Sequence, residues 1–536
     1  LEGSLLRRWS VFVVLVLSLC MLSSARALTP AQAHAIATGD SDSRIAALQA
    51  AITAGDARVP VLIRALLDGE VRVDVERAYI VQGESAVEAA TGEAATLPEA
   101  AEDAVNNNRM RGELQAALAA LGLFSKDATA RRTALDALVG NVDESKLPLL
   151  DKALAAETDA GLKAQIERLR AVALITATST EQRLAAAAAL AAGDQASTRA
   201  LLLERLKPAG QGGEADPAVR AALEKAADAI GSRLAWGERL GVVFTGLSLG
   251  SILLLAALGL AVTYGLMGVI NMAHGELIMI GAYATWGVQN LFRTHAPQWF
   301  DSYVLVAIPA AFLASAAVGA LMERSVIRWL YGRPLETLLA TWGISLVLMQ
   351  TVRSLFGAQN VPVENPSWLS GGIQVMSNLT LPWNRIFIVA FALLVLAGMA
   401  LVIARTRLGL FVRSVTQNRP MAACMGVDTA KVDTLAFSLG AGVAGLAGCA
   451  LSQVGNVGPD LGQGYIVDSF MVVVLGGVGQ LAGTVYAALG LGVVNKLLEG
   501  WQGAVLAKIM VLVFIVIFIQ KRPQGLFAVK GRSVEA

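Results

Sequence analysis

Long apolar runs, nearly free of charge, fill most of residues 240–520 and limit what this chain can become. Runs near 242–264, 272–291, 304–322, 336–356, 386–404, 434–454 and 504–519 each approach the roughly 20 apolar residues that carry a helix across a bilayer. Residues 28–239 differ: they are Ala-rich but well supplied with Arg, Lys, Asp and Glu. The shift near Trp236 sets the main domain boundary. Only 16% of the 536 residues are charged, against roughly 25% in soluble domains. The net charge of +1 leaves no nucleic-acid footprint.

Three domains are expected: a signal peptide over 1–27, a periplasmic helical-repeat domain over 28–235 and a transmembrane domain over 236–536. The signal reading rests on basic Arg7 and Arg8, an apolar core from Val11 to Leu22, and the small-residue site Ala25-Arg26-Ala27. An uncleaved anchor helix is the alternative. Of the cysteines Cys20, Cys424 and Cys449, none falls in the soluble stretch, so it has no disulfide framework.

Within 28–235, apolar residues recur at three and four, as in Arg131 to Leu138 and Leu162 to Leu169. Arg44, Arg132 and Arg183 each open an Ala/Leu helix, with Asp56, Asp143 and Asp194 ahead of a second one. Paired helices of this kind resemble HEAT repeats, so an α-solenoid is expected. Val71 to Val81 alternates enough to permit a short strand or hairpin. His34 has no metal-ligand neighbours, and a scaffold or docking role is expected. No catalytic residue, metal or cofactor is expected in the chain.

Basic residues orient the spans. Arg324, Arg328 and Arg333 mark one cytoplasmic loop; Arg405, Arg407, Arg413, Arg419 and Lys431 mark another. Lys521, Arg522, Lys530 and Arg532 mark a cytoplasmic tail, and the 357–384 loop carries no Lys or Arg. This topology closes most simply if 469–495 is a re-entrant hairpin turning at Gly476-Gly477-Val478-Gly479-Gln480. Irregular backbone at that depth is tolerated inside protein or beside a water-filled route, which makes Gly476, Gly477 and Gly479 path candidates. A Gly-rich packing seam is the alternative. The link Gly265 to His274 is too apolar for an ordinary loop, so Asn271, His274 and Glu276 are polar groups near membrane depth. They line a substrate path or cap the helix that follows. Gly440, Gly442, Gly445 and Gly448 read as helix packing, and Lys508 as a snorkelling residue. The class is all-α: a polytopic permease of about eight membrane segments, hairpin included, behind an α-solenoid-like extracytoplasmic domain.

Four blocks carry a resemblance over about 242–528: Tyr264 to Glu276; Arg405 to Gly409 with Arg413 to Asn418 and Ala422 to Val427; Val474 to Gly479; and Arg522 to Phe527. They resemble the branched-chain amino-acid-type ABC permease family. Gln453 to Gln463 and the long N-terminal extension resemble its urea-transporting branch most. The resemblance implies an ATP-driven importer built with a second permease subunit, two cytosolic ATP-binding subunits and a periplasmic solute-binding protein. It also implies that 405–431 is the ATPase coupling loop, with Arg413, Gln417, Asn418, Arg419, Ala422, Ala423 and Gly426. The general coupling signature has a Glu before the paired Ala and one more residue before the Gly; here both depart. No Gly-Lys pair occurs, so the chain has no phosphate-cradling loop and is not itself an ATPase. Urea needs hydrogen-bonding groups but no counter-ion. Branched-chain amino acids or short amides are the alternative cargo, and a passive urea or solute channel is the alternative of another class.

Overall fold

The computed structural model describes residues 28–527 other than 55, 57, 84, 99, 140, 141 and 143. The signal-peptide reading over 1–27, Asp143 of the helix-pair pattern, and Lys530 and Arg532 lie outside the described residues. The chain divides into two compact units, Leu1–Ser232 and Arg233–Ala536.

In the first unit, α1 (Pro30–Ala37), α2 (Ser41–Ala54) and α3 (Val59–Asp68) come before a sheet. α4 (Asn108–Gly122), α5 (Ala128–Leu138), α6 (Leu147–Ala156), α7 (Ala160–Leu174), α8 (Thr180–Leu190) and α9 (Ala196–Arg205) follow it. Thr29 and Gln32 start α1 with a reciprocal capping box. The sheet corrects the all-α expectation. Strands β1 (Val71–Val73), β2 (Ala78–Gln82), β3 (Ser85–Glu88), β4 (Ala94–Ala95) and β5 (Glu102–Asp103) form five antiparallel strands in the order β4-β3-β2-β1-β5. Val71 and Ile80 are buried and Arg72 salt-bridges Asp103 on the edge strand, so the alternation at 71–81 is a hairpin. The later strands are rich in Ala and Glu; pairing with neighbours overrides that composition.

The helix pairs share one device. Arg131 donates to the Ser125 carbonyl and, bidentately, to Glu157, which also accepts the Thr158 and Asp159 amides. Arg183 donates to the Ala177 carbonyl and pairs with Glu214, which accepts the Ala215 and Asp216 amides. The repeated arginine is therefore Arg131, not Arg132. Buried Arg44 instead ties Ile36 to Val105 and Asn106. The Arg131 bonds, and then the backbone donors, hold the Glu157 carboxyl at about 2 rather than the ordinary 4.5. A depressed carboxyl stabilises the fold above its unfolded value, and that stability is lost as pH falls through the folded one. Hydrogen-exchange protection of 128–174 is expected to fall between about pH 4.5 and 2. Glu157→Gln should flatten that dependence; an unchanged profile would contradict it.

In the second unit, α10 (Pro217–Met267, begun in the first unit) leads to α11 (His274–His295), α12 (Tyr303–Ser325), α13 (Pro334–Phe356) and α14 (Trp383–Arg405). Short helices α15 (Arg407–Gln417) and α16 (Arg419–Cys424) precede α17 (Thr429–Ser452), α18 (Leu461–Gly476), α19 (Leu481–Gln502) and α20 (Ala504–Lys521). A hairpin of β6 (Gly372–Met376) and β7 (Leu379–Pro382) lies in the 357–384 connection. Seven helices among the described residues are long and apolar enough to cross a membrane; α19 is one of them, and α11 and the 16-residue α18 are not. This changes the expected hairpin. Its turn falls at 477–480, but the arms begin at Leu461 and end at Gln502, and the second is of spanning length.

The core of this unit is α17, buried along most of its length. Gly440 faces Gly259 of α10, Gly442 faces Phe312, Gly445 faces Ala311 and Ser315, and Gly448 faces Ile278 and Ala282. Without side chains there, neighbouring helices approach to backbone contact. α20 is the opposite case: Ala507, Val511 and Ile515 are buried, while Val505, Ile509, Leu512, Val513 and Val516 are exposed, a stripe suited to lipid.

Candidate translocation path and coupling loop

Gly268, with φ +69°, ends α10, and residues 269–273 run as an irregular link through the protein interior. Buried backbone must find partners. The Met272 amide donates to the Thr341 hydroxyl of α13 (3.1 Å), and the Ala273 amide to the Asn271 side chain (3.0 Å). The Asn271 carbonyl accepts the His274 amide (3.4 Å). The Asn271 oxygens thus turn the chain into α11, while its side-chain Nδ2, also buried, has no partner among the described residues. The His274 ring is fully buried, with Nε2 2.9 Å from the Ala256 carbonyl of α10. Facing a carbonyl, Nε2 must carry the proton, so Nδ1 is a bare acceptor; it has no partner. His274 staples the start of α11 to α10.

α11 has two unlike faces. Gly275, Ile278 and Gly281 pack against α17 and α18. Glu276 and Tyr283, two turns apart, lie on the other side. Glu276 is 2% exposed and Tyr283 4%. The Ser345 hydroxyl of α13 lies beside the Glu276 carboxyl. Glu276 Oε2 and Tyr283 Oη have no partner. The Tyr283 ring stacks on Phe356 of α13 at 4.9 Å, and Trp286 stands edge-on to Phe356 at 5.7 Å. Met279, Val352, Val457 and Leu461 complete this apolar surround.

The glycine-rich turn is elsewhere. Gly477 and Gly479 take φ +101° and +81°, a backbone open mainly to glycine. Gly479 packs on Gly265, Gly476 on Gly483, and Gly477 on the C-terminal segment, whose Leu526 amide donates to the Leu475 carbonyl (2.8 Å). His274 meets α10 at Ala256 and Gly259, six residues or roughly 9 Å along the helix from Gly265. The structure therefore brings Asn271, His274 and Glu276 together on one link and helix start. It places Gly476, Gly477 and Gly479 in a separate packing seam.

α15 and α16 form the basic loop. Arg413 bonds back to the Gly409 carbonyl (3.2 Å), and the Asn418 side chain caps α16 by accepting the Met421 amide (3.0 Å). Ala422 is buried, Gln417 and Ala423 are exposed, and Gly426 closes the helix with φ +82°. Leu410, Phe411, Met421 and Met425 stand exposed on these helices.

Beneath the loop is a cluster that sequence reading missed. Arg419 pairs with buried Asp433 of α17 and lies 5.0 Å over the Tyr331 ring. The Tyr331 hydroxyl donates to Glu323 of α12 (3.2 Å), Thr434 donates to the other Glu323 oxygen (2.6 Å), and Arg328 is 3.7 Å away. Glu323 is fully buried. The available signal was an acid at the end of each of two apolar runs, Met322-Glu323-Arg324 and Val432-Asp433-Thr434. A second omission is the partner of Lys508, which pairs with Asp468 of α18 at 3.4 Å while its side chain stays 56% exposed.

Apolar helices of spanning length seamed by glycine, with a buried irregular link between α10 and α11, define a multi-pass membrane protein. The chain belongs to the family described as branched-chain amino acid transport system / permease component, which matches residues 242–519. It is similar to the high-affinity branched-chain amino acid transport system permease protein BraD of Pseudomonas aeruginosa, 28% identical over 285 residues, covering 52% of this chain and 93% of the relative. It is also similar to the corresponding protein LivH of Escherichia coli, 28% identical over 290 residues, covering 53% of this chain and 94% of the relative. The permease protein LivM of Salmonella typhimurium is 27% identical over 301 residues, 51% of this chain and 67% of the relative. No solved structure matches.

Proposed function

We propose that this chain is one of two membrane-spanning permease subunits of an ATP-driven importer for urea. Two cytosolic ATP-binding subunits and a periplasmic solute-binding protein complete it. Residues 28–235 form the periplasmic helical-repeat domain, 236–536 the permease domain, and the C-terminus is cytoplasmic. The observation that carries this reading is the α15–α16 pair. It is basic, it ends in α17 at the centre of the unit, and it presents Leu410, Phe411, Met421 and Met425 to a partner. A passive channel has no use for such a docking element. Urea is supported by the Gln453–Gln463 block and by the face of Glu276, Tyr283 and Ser345, where none of these three side chains is cationic. A branched-chain amino acid is the second reading, favoured by what the relatives carry. Complexes purified through a tag on this chain, with their partner subunits, and reconstituted in liposomes decide between them. ATP-dependent accumulation of radiolabelled urea, with leucine excluded, is expected. Leucine accumulation alone overturns urea, and urea flux without ATP overturns the importer.

A further inference from the structure

We infer that Glu276 and Tyr283 form two successive binding stations, between α11 and α13, for the N–H-donating end of the transported solute. The inference rests on the reading of this chain as a solute permease and adds the chemistry of the site.

Both side chains are more than nine-tenths buried, and each holds a polar atom that nothing among the described residues satisfies. Buried polar groups in folded proteins are hydrogen-bonded almost without exception, so two unused acceptors on one helix face point to a missing partner. Packing does not explain the pair. Around them stand Met279, Val352, Val457, Leu461 and aromatic rings, with Ser345 beside Glu276 and the acid Asp460 near Tyr283, and neither Glu276 Oε2 nor Tyr283 Oη finds a hydrogen-bond partner among the described residues. Glu276 is the third residue of α11, where the exposed amides of the first turn favour a carboxylate. A carboxylate only accepts, and it binds N–H donors most strongly. The Tyr283 oxygen accepts as well, and Ser345 on α13 adds a hydroxyl beside Glu276.

Seven residues of helix separate the two by about 10 Å, too far for one small molecule to touch both. A solute would pass from one to the other. The Tyr283, Trp286 and Phe356 rings wall the upper station, and aromatic faces attract ammonium and N–H groups. The shared chemistry is a head with several N–H donors. A carboxamide such as urea supplies it, and so does the ammonium of an amino acid.

The reconstituted complex tests this with Glu276→Gln, Glu276→Leu and Tyr283→Phe. Tyr283→Phe should raise KM for the transported solute about fivefold with little change in kcat. Glu276→Leu should lower uptake at least tenfold. Glu276→Gln separates the sources: an amide oxygen still accepts from a carboxamide, so urea uptake should recover partly, whereas an ammonium solute should fare no better than with Leu. Unchanged KM and rate in all three variants would overturn the site. A second measurement does not need the solute to be known. In a chain with Cys20, Cys424 and Cys449 replaced by Ala, Glu276→Cys and Tyr283→Cys should react with a water-borne methanethiosulfonate, and acetamide or methylammonium should slow the reaction. Failure of both to react in monodisperse complex overturns the stations. Labelling and protection in a complex that moves neither urea nor leucine would uphold them and overturn only the proposed cargo.

Discussion

Replacing Arg419 with Asp is expected to cut solute uptake more than tenfold while the complex still assembles. Arg419 is the one basic group of the α15–α16 loop seen to reach into the helix bundle, through Asp433 and the Tyr331 ring. Tyr331 in turn holds Glu323, which α17 grips through Thr434. The loop, the α12–α13 connection and the central helix thus share one network. Breaking a buried ion pair costs about 3–5 kcal/mol, because the other charge stays buried. The figure is smaller here, since the Arg419 side chain is 45% exposed. Arg419→Asp also adds a third acid beside Asp433 and Glu323. The reciprocal exchange, Arg419→Asp with Asp433→Arg, restores an attractive pair and should return a good part of the uptake. ATP hydrolysis by the partner subunits should persist in Arg419→Asp but lose its stimulation by solute-loaded binding protein. Full uptake in the single variant would sink the coupling role. Failure of the exchange to restore uptake, with assembly intact, would show that the pair is not what transmits the motion.

Much of the membrane half was legible because lipid imposes one strong rule: backbone must be paired within the segment, so apolar length reports spans. The runs at 304–322, 336–356 and 386–404 lie within α12, α13 and α14. The turn at 477–480 was legible for a local reason, since Gly477 and Gly479 take a left-handed backbone there. What hydropathy could not give was which polar residues meet. Glu323 and Asp433 are 110 positions apart, and only folding brings them under one loop. Asn271, His274 and Glu276 looked alike as polar groups on an apolar link. The structure separates them by what each already does: Asn271 turns the backbone through its oxygen, His274 staples α11 to α10 through Nε2, and Glu276 stands on the face of α11 toward α13, while each keeps one polar atom unused. In the first unit, the Ala-rich composition that reads as helix also supplied strands β3 and β4, because β3 pairs along β2 and β4 along β3.

Gly448→Val should remove most of the folded protein, whereas Gly490→Val should be nearly silent. Both glycines lie within helices of the membrane unit, so the loss of backbone freedom is the same for both. They differ in what a side chain would meet. A methyl group on Gly448 would overlap the Ile278 carbonyl oxygen and come within 2.7 Å of the Ala282 amide nitrogen. Both are main-chain atoms of α11, so no side-chain rotation relieves the contact, and α11 must move off α17. The same surface of α11 carries Gly281 against Gly445, and Gly445 also abuts the Ala311 carbonyl of α12. Displacement at Gly448 therefore opens a seam shared by three helices. Overpacking a tight core costs about 1–3 kcal/mol where side chains can yield, and backbone contact raises it further. Nothing lies within 4 Å of a side chain added at Gly490, and in an apolar span the added isopropyl group is favourable. Monodisperse yield after detergent extraction, and resistance to limited proteolysis, should fall at least tenfold for Gly448→Val and stay within about twofold for Gly490→Val. Gly448→Ala should fall between them. Equal yields would mean that α11 and α17 are held apart by more than glycine, and the staple at His274 would then have to carry the position of the helix that bears Glu276 and Tyr283.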